Sequence, residues 1–246
     1  MRTSAIVLAL VLATACLVSG TFAKYVTSAA TADEARVAKW GVELAISNSQ
    51  MFTNEYATDD TNYSGALSVK SVDDARVVAP GTKSGDDIAP FVVTITGRPE
   101  TAVRIDFVNE VQDICLKAGT YTDYTKLVEQ ADGTFAYTDT FTLVENYYPV
   151  KWTLTQTADY YGPANVVIVN GGTLADVKAA IDTLSGAQYA PNTTLDATFQ
   201  IDWEWAFEQN DQADTYLGNV AADIIADANA ILDVEFDLSI TATQID

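Results

Sequence analysis

Two long segments of the chain alternate strictly between apolar and polar residues, and this pattern constrains the fold more than any other feature. The apolar members are Leu195, Ala197, Phe199, Ile201, Trp203, Trp205 and Phe207 in the first segment, and Leu232, Val234, Phe236, Leu238, Ile240 and Ala242 in the second. Successive side chains of a β-strand point to opposite faces of the sheet. Each segment therefore predicts a long strand with one buried face and one wet face.

Shorter alternating runs occur at residues 40–46, 91–95, 103–107, 135–137 and 148–154. One-sided alternation is typical of antiparallel sheets, and two such sheets must bury their apolar faces against each other. The turn sequences Ala79-Pro80-Gly81 and Asp132-Gly133 lie between predicted strands. The sequence therefore predicts an all-β fold, an antiparallel β-sandwich.

One or two short helical insertions are expected in this sandwich. Thr173 and Asp176 have capping-box spacing, and Gly186 is placed to end the helix that follows. The apolar stripe of this helix is Leu174, Val177, Ile181 and Leu184. A second, weaker helical pattern covers residues 213–227.

The composition argues against several functions. The 246 residues include 34 acidic and 13 basic side chains and no histidine, which gives a net charge of −21. Catalysis and zinc sites that depend on histidine are excluded, and nucleic-acid binding would need clustered basic residues. We therefore predict no enzymatic activity, no catalytic residue, no metal site, no cofactor and no nucleic-acid partner.

Individual candidates for chemistry have simpler explanations. Cys115, the cysteine outside the N-terminal apolar segment, lies in an apolar context typical of a core thiol. Asp202 and Glu204 flank Trp203, as carboxylates do in some glycosidases, but the neighbouring aromatic residues point to the other face. The acidic pairs Asp59-Asp60, Asp73-Asp74 and Asp86-Asp87 lack the spacing of a calcium loop, and solvated loop charge is the favoured interpretation.

The N-terminus is typical of a secretory signal peptide. Arg2 is the only charge before Lys24, and residues 5–18 are almost continuously apolar. Small residues at Thr21 and Ala23 predict cleavage between Ala23 and Lys24, although cuts after Ala30 or Ala32 also satisfy the rule. The predicted organisation is a signal peptide (1–23), a tail (24–33) and one β-sandwich domain (34–246), secreted to the matrix or cell surface. The alternative is an uncleaved anchor, which would be the chain's only membrane contact.

Several motifs, taken in order, resemble one family. They are Gly20-Thr21-Phe22-Ala23, Lys24-Tyr25-Val26, Trp40-Gly41-Val42-Glu43-Leu44, Ala79-Pro80-Gly81 ahead of the 91–96 strand, and the final Leu238-Ser-Ile-Thr-Ala-Thr-Gln244. The chain resembles the secreted TasA/camelysin family of biofilm-matrix fibre subunits, in which a dedicated signal peptidase cuts after the alanine of Gly-Thr-aromatic-Ala. The resemblance covers both ends and one internal hairpin, and residues 110–200 contain no matching motif.

The resemblance implies a jelly-roll-like sandwich that polymerises by inserting the N-terminal tail of one subunit as a strand into the next. The donor residues here would be Tyr25, Val26 and Thr27. The implied partners are further copies of the chain and minor matrix subunits. A metalloprotease activity attributed to camelysin is not carried over, because this chain has no histidine.

Two other functions remain open from the sequence. The first is a monomeric cell-surface adhesin or carbohydrate-binding β-sandwich, which the tyrosine-rich stretches at 121–124, 147–148 and 160–161 favour. The second is a secreted hydrolase that uses carboxylates alone.

Overall fold

The computed structural model describes residues 35–47, 50–58, 62, 65–85, 88–158, 166–207 and 209–245. The chain forms two compact units that meet in sequence after Val37. The strands and helices described next belong to the unit from Ala38 onward. No helix within the described ranges has the length and apolarity to cross a membrane.

Seventeen strands and two α-helices are present in the described part of the chain. They are β1 (Val42–Ser47), β2 (Glu55–Ala57), β3 (Leu67–Lys70), β4 (Thr82–Lys83), β5 (Phe91–Gly97), β6 (Val103–Gln112), β7 (Cys115–Leu116), β8 (Gly119–Thr122), β9 (Val128–Glu129), β10 (Phe135–Ala136), β11 (Thr140–Leu143), β12 (Val150–Ala158), β13 (Val166–Gly172), α1 (Leu174–Leu184), β14 (Ala187–Tyr189), β15 (Leu195–Trp205), α2 (Asp211–Ala221), β16 (Ala230–Ile231) and β17 (Glu235–Gln244).

Two antiparallel sheets carry the fold. The larger has the order β1-β5-β15-β12-β13, with β4 added on β15, and the smaller has the order β14-β6-β17. Within the smaller sheet, β6 and β17 stay in register over ten residues, from Val103 opposite Gln244 to Gln112 opposite Glu235. The pairs β2-β3, β7-β16, β8-β11 and β9-β10 form small two-stranded ribbons. Successive strands such as β5 and β6 lie in different sheets, so the chain crosses from one layer of the sandwich to the other.

The apolar faces of the two sheets bury each other, which confirms the predicted sandwich. Phe91 of β5 meets Phe236 of β17 with ring centroids 5.4 Å apart, and Phe107 of β6 meets Phe199 of β15 at 6.4 Å. Both pairs are edge-to-face, the arrangement that aromatic rings prefer. The alternating apolar residues of β15 point into this core up to Trp205.

The first predicted helix is confirmed, together with its cap. Thr173 accepts a hydrogen bond from the backbone of Asp176, and the Asp176 side chain accepts one from the Thr173 backbone. The helix α1 packs against β6, β12 and β13 and so covers part of the larger sheet that the smaller sheet leaves free. A carboxylate oxygen of Asp113, Oδ2, accepts from the Leu174 N–H at 2.9 Å, which satisfies a further N–H of the first turn.

The second helix is shorter than the predicted 213–227. It ends at Ala221 because Asp223 adopts a left-handed conformation, with φ of 56°. The Ile224 N–H then donates to the Asn219 carbonyl at 3.0 Å, as in a Schellman motif. Tyr216 Oη donates a hydrogen bond to Asp227 Oδ2 at 2.8 Å, which anchors the loop after the helix.

Three predicted apolar rows are not buried to their ends. One is the 40–46 row, in which Trp40 and Ile46 are 40% and 41% exposed. Phe207 lies beyond the end of β15 and is 72% exposed, and Phe135 and Tyr137 on the β9–β10 hairpin are 63% and 42% exposed. That hairpin turns at Gly133, as predicted, but it pairs over only two residues on each strand and no second sheet covers it. The prediction for Cys115 is confirmed, because its thiol is buried and burial raises its pKa.

Candidate assembly interface

The residues predicted for export and strand donation are Ala23, Lys24, Tyr25, Val26 and Thr27. They lie outside the described residues, as do Asp59, Asp60, Asp86, Asp87, Tyr160 and Tyr161. The described residues therefore include the surface that would accept a donated strand but not the proposed donor itself.

Two edge strands lie side by side at one margin of the sandwich. Within the described residues, β1 forms its ladder only with β5, and β17 forms its ladder only with β6. The two strands approach each other without pairing. We call this margin, formed by β1 and β17, the open edge. Each of its strands has one row of backbone N–H and C=O groups directed away from its sheet, which is the arrangement that accepts a further strand.

Apolar side chains of the open edge are only partly covered. On β17 they are Phe236, Leu238, Ile240 and Ala242, and on β1 they are Val42, Leu44 and Ile46. All are half-buried except Ile46, which is 41% exposed. In contrast, Val103 and Ile105 on the neighbouring strand β6 are 0% and 1% exposed. The alternation is therefore the same on the edge and central strands, but no layer formed by the described residues covers the edge rows completely.

Hydrogen bonds fix the residues that directly precede β1. The Arg98 N–H donates to the Gly41 carbonyl at 3.0 Å, and the Glu100 N–H donates to the Lys39 carbonyl at 2.9 Å. The Lys39 N–H in turn donates to Glu100 Oε2 at 2.9 Å. These bonds extend the β1–β5 pairing back to Lys39.

The start of β1 depends on a close backbone approach at Gly97. This residue has φ of +131°, and a Cβ added there would lie 1.9 Å from the Gly41 carbonyl oxygen. We expect Gly97→Ala to separate the Gly41 end of β1 from β5 and to cost about 1–3 kcal/mol or more in free energy of unfolding. The measurement is amide hydrogen exchange at Arg98, which should accelerate.

Gly133→Ala is the matched control for this substitution. Gly133 also has a positive φ, of +79°, but nothing lies within 4 Å of an added Cβ. The control therefore carries the conformational strain without the clash. Equal loss of stability in both variants, with unchanged exchange at Arg98, would contradict the role assigned to Gly97.

Acidic side chains surround the open edge on its wet faces. Glu235 and Asp237 of β17 and Glu43 of β1 are exposed. The chain as a whole has a net charge of −21, so two copies repel each other at neutral pH. Any association through the open edge must overcome this repulsion.

Two further aspartates lie away from the open edge, of which Asp214 is buried and Asp113 is half-buried. Burial raises the pKa of both Asp113 and Asp214. Tyr147 Oη donates to Asp214 Oδ1 at 2.8 Å, and the proximity of this carboxylate together with burial raises the tyrosine pKa. The other oxygen, Oδ2, has no hydrogen bond within 3.5 Å, although the Trp205 indole lies near enough to lower the carboxyl pKa. The Tyr147–Asp214 hydrogen bond connects the segment before β12 to the first turn of α2.

Asp202 and Glu204, the carboxylates considered for catalysis, form polar contacts on the surface of the larger sheet. Asp202 Oδ1 accepts from Ser84 Oγ at 3.1 Å, and its Oδ2 accepts from Gln200 Nε2 at 2.8 Å. Glu204 is exposed and lies opposite Lys83 and Lys151 on the neighbouring strands. These contacts are those of a cross-strand surface network.

The described residues contain no group of three or more histidine, cysteine, aspartate or glutamate side chains that could hold a metal ion. Asp73 accepts hydrogen bonds from Ser71 Oγ at 2.7 Å and from the Ala75 N–H at 3.2 Å. The bond from Ser71, followed by the one from Ala75, lowers the pKa of this carboxyl. The pair Asp73-Asp74 thus shapes its own turn, in agreement with the loop interpretation.

Comparison with protein-family models, with curated proteins and with solved structures returns no match in any of the three. The family resemblance stated above therefore stays a prediction.

Proposed function

We propose that the protein is a secreted structural subunit that polymerises into extracellular matrix fibres by adding a strand from one copy to the open edge of the next. The observation that supports this most directly is that two edge strands, β1 and β17, lie side by side and that the apolar row of each is only partly covered. An enclosed monomeric sandwich would gain stability by covering Leu238 and Ile240, which here stay half-buried.

The proposed donor is the tail at residues 24–33, with Tyr25, Val26 and Thr27 at its first strand-like stretch. The tail from 24 to 33 has the same length as β17, which is also ten residues long. Backbone hydrogen bonds along the edge would supply the affinity, and alternate side chains entering the apolar row would set the register. Minor matrix subunits with similar tails would use the same edge. The proposal assigns the protein no enzymatic activity and no cofactor.

The test compares two lysine substitutions on the same strand. Leu238→Lys places a charge in the inward, apolar row of the open edge, whereas Ser239→Lys places the same charge on the exposed face of β17. Mature protein carrying Leu238→Lys should form no fibres in negative-stain electron microscopy. The Ser239→Lys protein should form them as the wild type does.

Circular dichroism of both variants shows whether the sandwich still folds. Leu238 is already half-buried, so a long lysine side chain can direct its ammonium group to solvent. Fibres formed equally by both variants would refute assembly through the open edge.

Acid should promote self-association without unfolding the subunit. As pH falls from neutral toward about 4, carboxylates take up protons and the repulsion between copies falls. Because burial raises the pKa of Asp113 and Asp214, the folded state binds their protons more tightly than the unfolded chain does. Their contribution to the free energy of unfolding therefore increases as pH falls through these raised values.

Light scattering at low salt, followed alongside circular dichroism, measures this effect. Hydrogen bonds from Thr134 lower the pKa of Asp132, so the stability that this exposed turn gains from them is lost progressively as pH falls from the usual aspartate pKa through the lowered one. Scattering that stays flat while the dichroism is unchanged would contradict assembly limited by charge.

A monomeric adhesin or carbohydrate-binding module is the second candidate. The exposed aromatic residues of the β9–β10 hairpin favour it. Tyr137 and Phe135 are exposed there, and the Tyr137 ring meets that of Tyr124 at an angle of 55°, with centroids 5.0 Å apart. A protein that stays monomeric at all pH values and loses glycan binding on Tyr137→Ala would support this candidate over the fibre.

A further inference from the structure

A cavity of about 330 Å³ opens between the two sheets beside the C-terminal end of α1. Its walls come from β5, β6, β15 and α1. The apolar side chains that define it are Ile95, Ile105, Phe107, Leu184, Ala197 and Phe199. It lies within the layer that elsewhere forms the packed core.

The cavity exists because small residues face each other at this point. Ala197 occupies the inward row of β15 between Leu195 and Phe199, which are 4% and 8% exposed, yet Ala197 itself is only half-buried. Opposite it, the smaller sheet begins at Gly186 and Ala187, which also line the space. Larger aliphatic residues at these positions would fill it, as they do along the rest of β15.

The hydroxyl groups of Ser185 and Thr183 have their hydrogen bonds outside the cavity, and Tyr189 of β14 also contributes to the wall. Ser185 Oγ donates to the Phe107 carbonyl at 3.1 Å and accepts from the Phe107 N–H at 2.9 Å. Thr183 Oγ1 donates to the Ala180 carbonyl at 2.6 Å. No charged side chain of the described chain lines the space. An occupant would therefore gain from burying apolar surface and would find no partner for a charge.

We propose that this cavity is a binding site for a small uncharged apolar molecule. An apolar protein cavity of about 150 Å³ holds one benzene ring. A volume of about 330 Å³ suits a ligand of two fused aromatic rings or a short alkyl chain, and it lies within the range of roughly 300–1,000 Å³ that is typical of ligand pockets. Other side chains form the open edge, so ligand binding in the cavity does not depend on whether the protein forms fibres.

Naphthalene is the probe for this site. We expect its addition to the purified protein at neutral pH to shift the ¹³C-methyl resonances of Ile95 and Ile105 in a saturable way, because the aromatic ring current acts over a few ångströms. The methyl groups of Ile114 and Ile201 are also buried but do not line the cavity, and they should not move.

Ala197→Leu fills the space and should weaken naphthalene binding at least tenfold, a loss of about 1.4 kcal/mol. Ala136→Leu adds the same atoms on β10, outside the cavity, and should leave binding unchanged. If the dichroism of Ala197→Leu shows misfolding, Ala187→Leu fills the space from the opposite wall.

Three results would overturn the proposal. The first is the absence of saturable shifts at Ile95 and Ile105 in the wild type. The second is a shift at Ile46 alone, which would place the probe at the open edge. The third is a shift of Ile95 and Ile105 that depends on protein concentration without probe, which would show that a side chain of a second copy occupies the cavity.

Discussion

Removal of residues 24–33 should leave the β-sandwich folded and should abolish fibres. In the described chain, every core residue and every apolar residue packed on the core lies at or after Val42. Truncation therefore removes none of these contacts, and the midpoint of thermal unfolding should change by no more than about 2 °C. The open edge remains present but has no strand to receive, so negative-stain microscopy should show only monomers.

Single prolines separate strand donation from a general need for the tail. Val26→Pro removes one N–H from the proposed donor strand and should reduce fibre formation strongly, because proline cannot donate to a ladder. Ala35→Pro introduces the same residue outside the donor tail 24–33 and should permit fibres. Truncated subunits still have an open edge, so adding them to wild-type protein should shorten the fibres by capping exposed tails. Fibres formed by the truncated protein alone would refute strand donation.

The elements that could be predicted are those in which local periodicity and local chemistry agree. The alternation of β15 and β17 marks the inward face of each strand, and Thr173 with Asp176 marks the start of α1. The strand β13 was missed, because Val166–Val169 is a continuous apolar run on an edge strand, and such a run has no period to interpret.

The two candidate sites depend on information that alternation does not contain. Periodicity shows which face of β17 points inward, but not that β17 is an edge strand, since that follows from pairings between residues distant in sequence. The cavity depends on the size of Ala197 and on what faces it across the sandwich. In a hydrophobicity pattern alanine counts as apolar like its neighbours, so the pattern cannot distinguish a filled position from an empty one.

The largest loss of stability should follow Trp152→Ala. Trp152 is 0% exposed on β12, and its ring meets Phe52 edge-to-face with centroids 6.3 Å apart. Its indole N–H also donates to Asp113 Oδ1 at 3.4 Å. Truncation to alanine leaves a cavity and removes one hydrogen-bond partner of the half-buried Asp113 carboxylate, so the free energy of unfolding should fall by about 3–5 kcal/mol.

Trp40→Ala is the matched control, because Trp40 is 40% exposed and lies outside the core. Chemical denaturation of both variants should show a loss for Trp152→Ala several times that for Trp40→Ala. The Trp152→Ala loss should also shrink toward low pH, because protonation removes the charge that burial disfavours on Asp113, whose pKa burial already raises. A cost for Trp152→Ala that matches the control would show that the indole is not a central element of the core. A large cost with no dependence on pH would assign all of it to packing and none to Asp113.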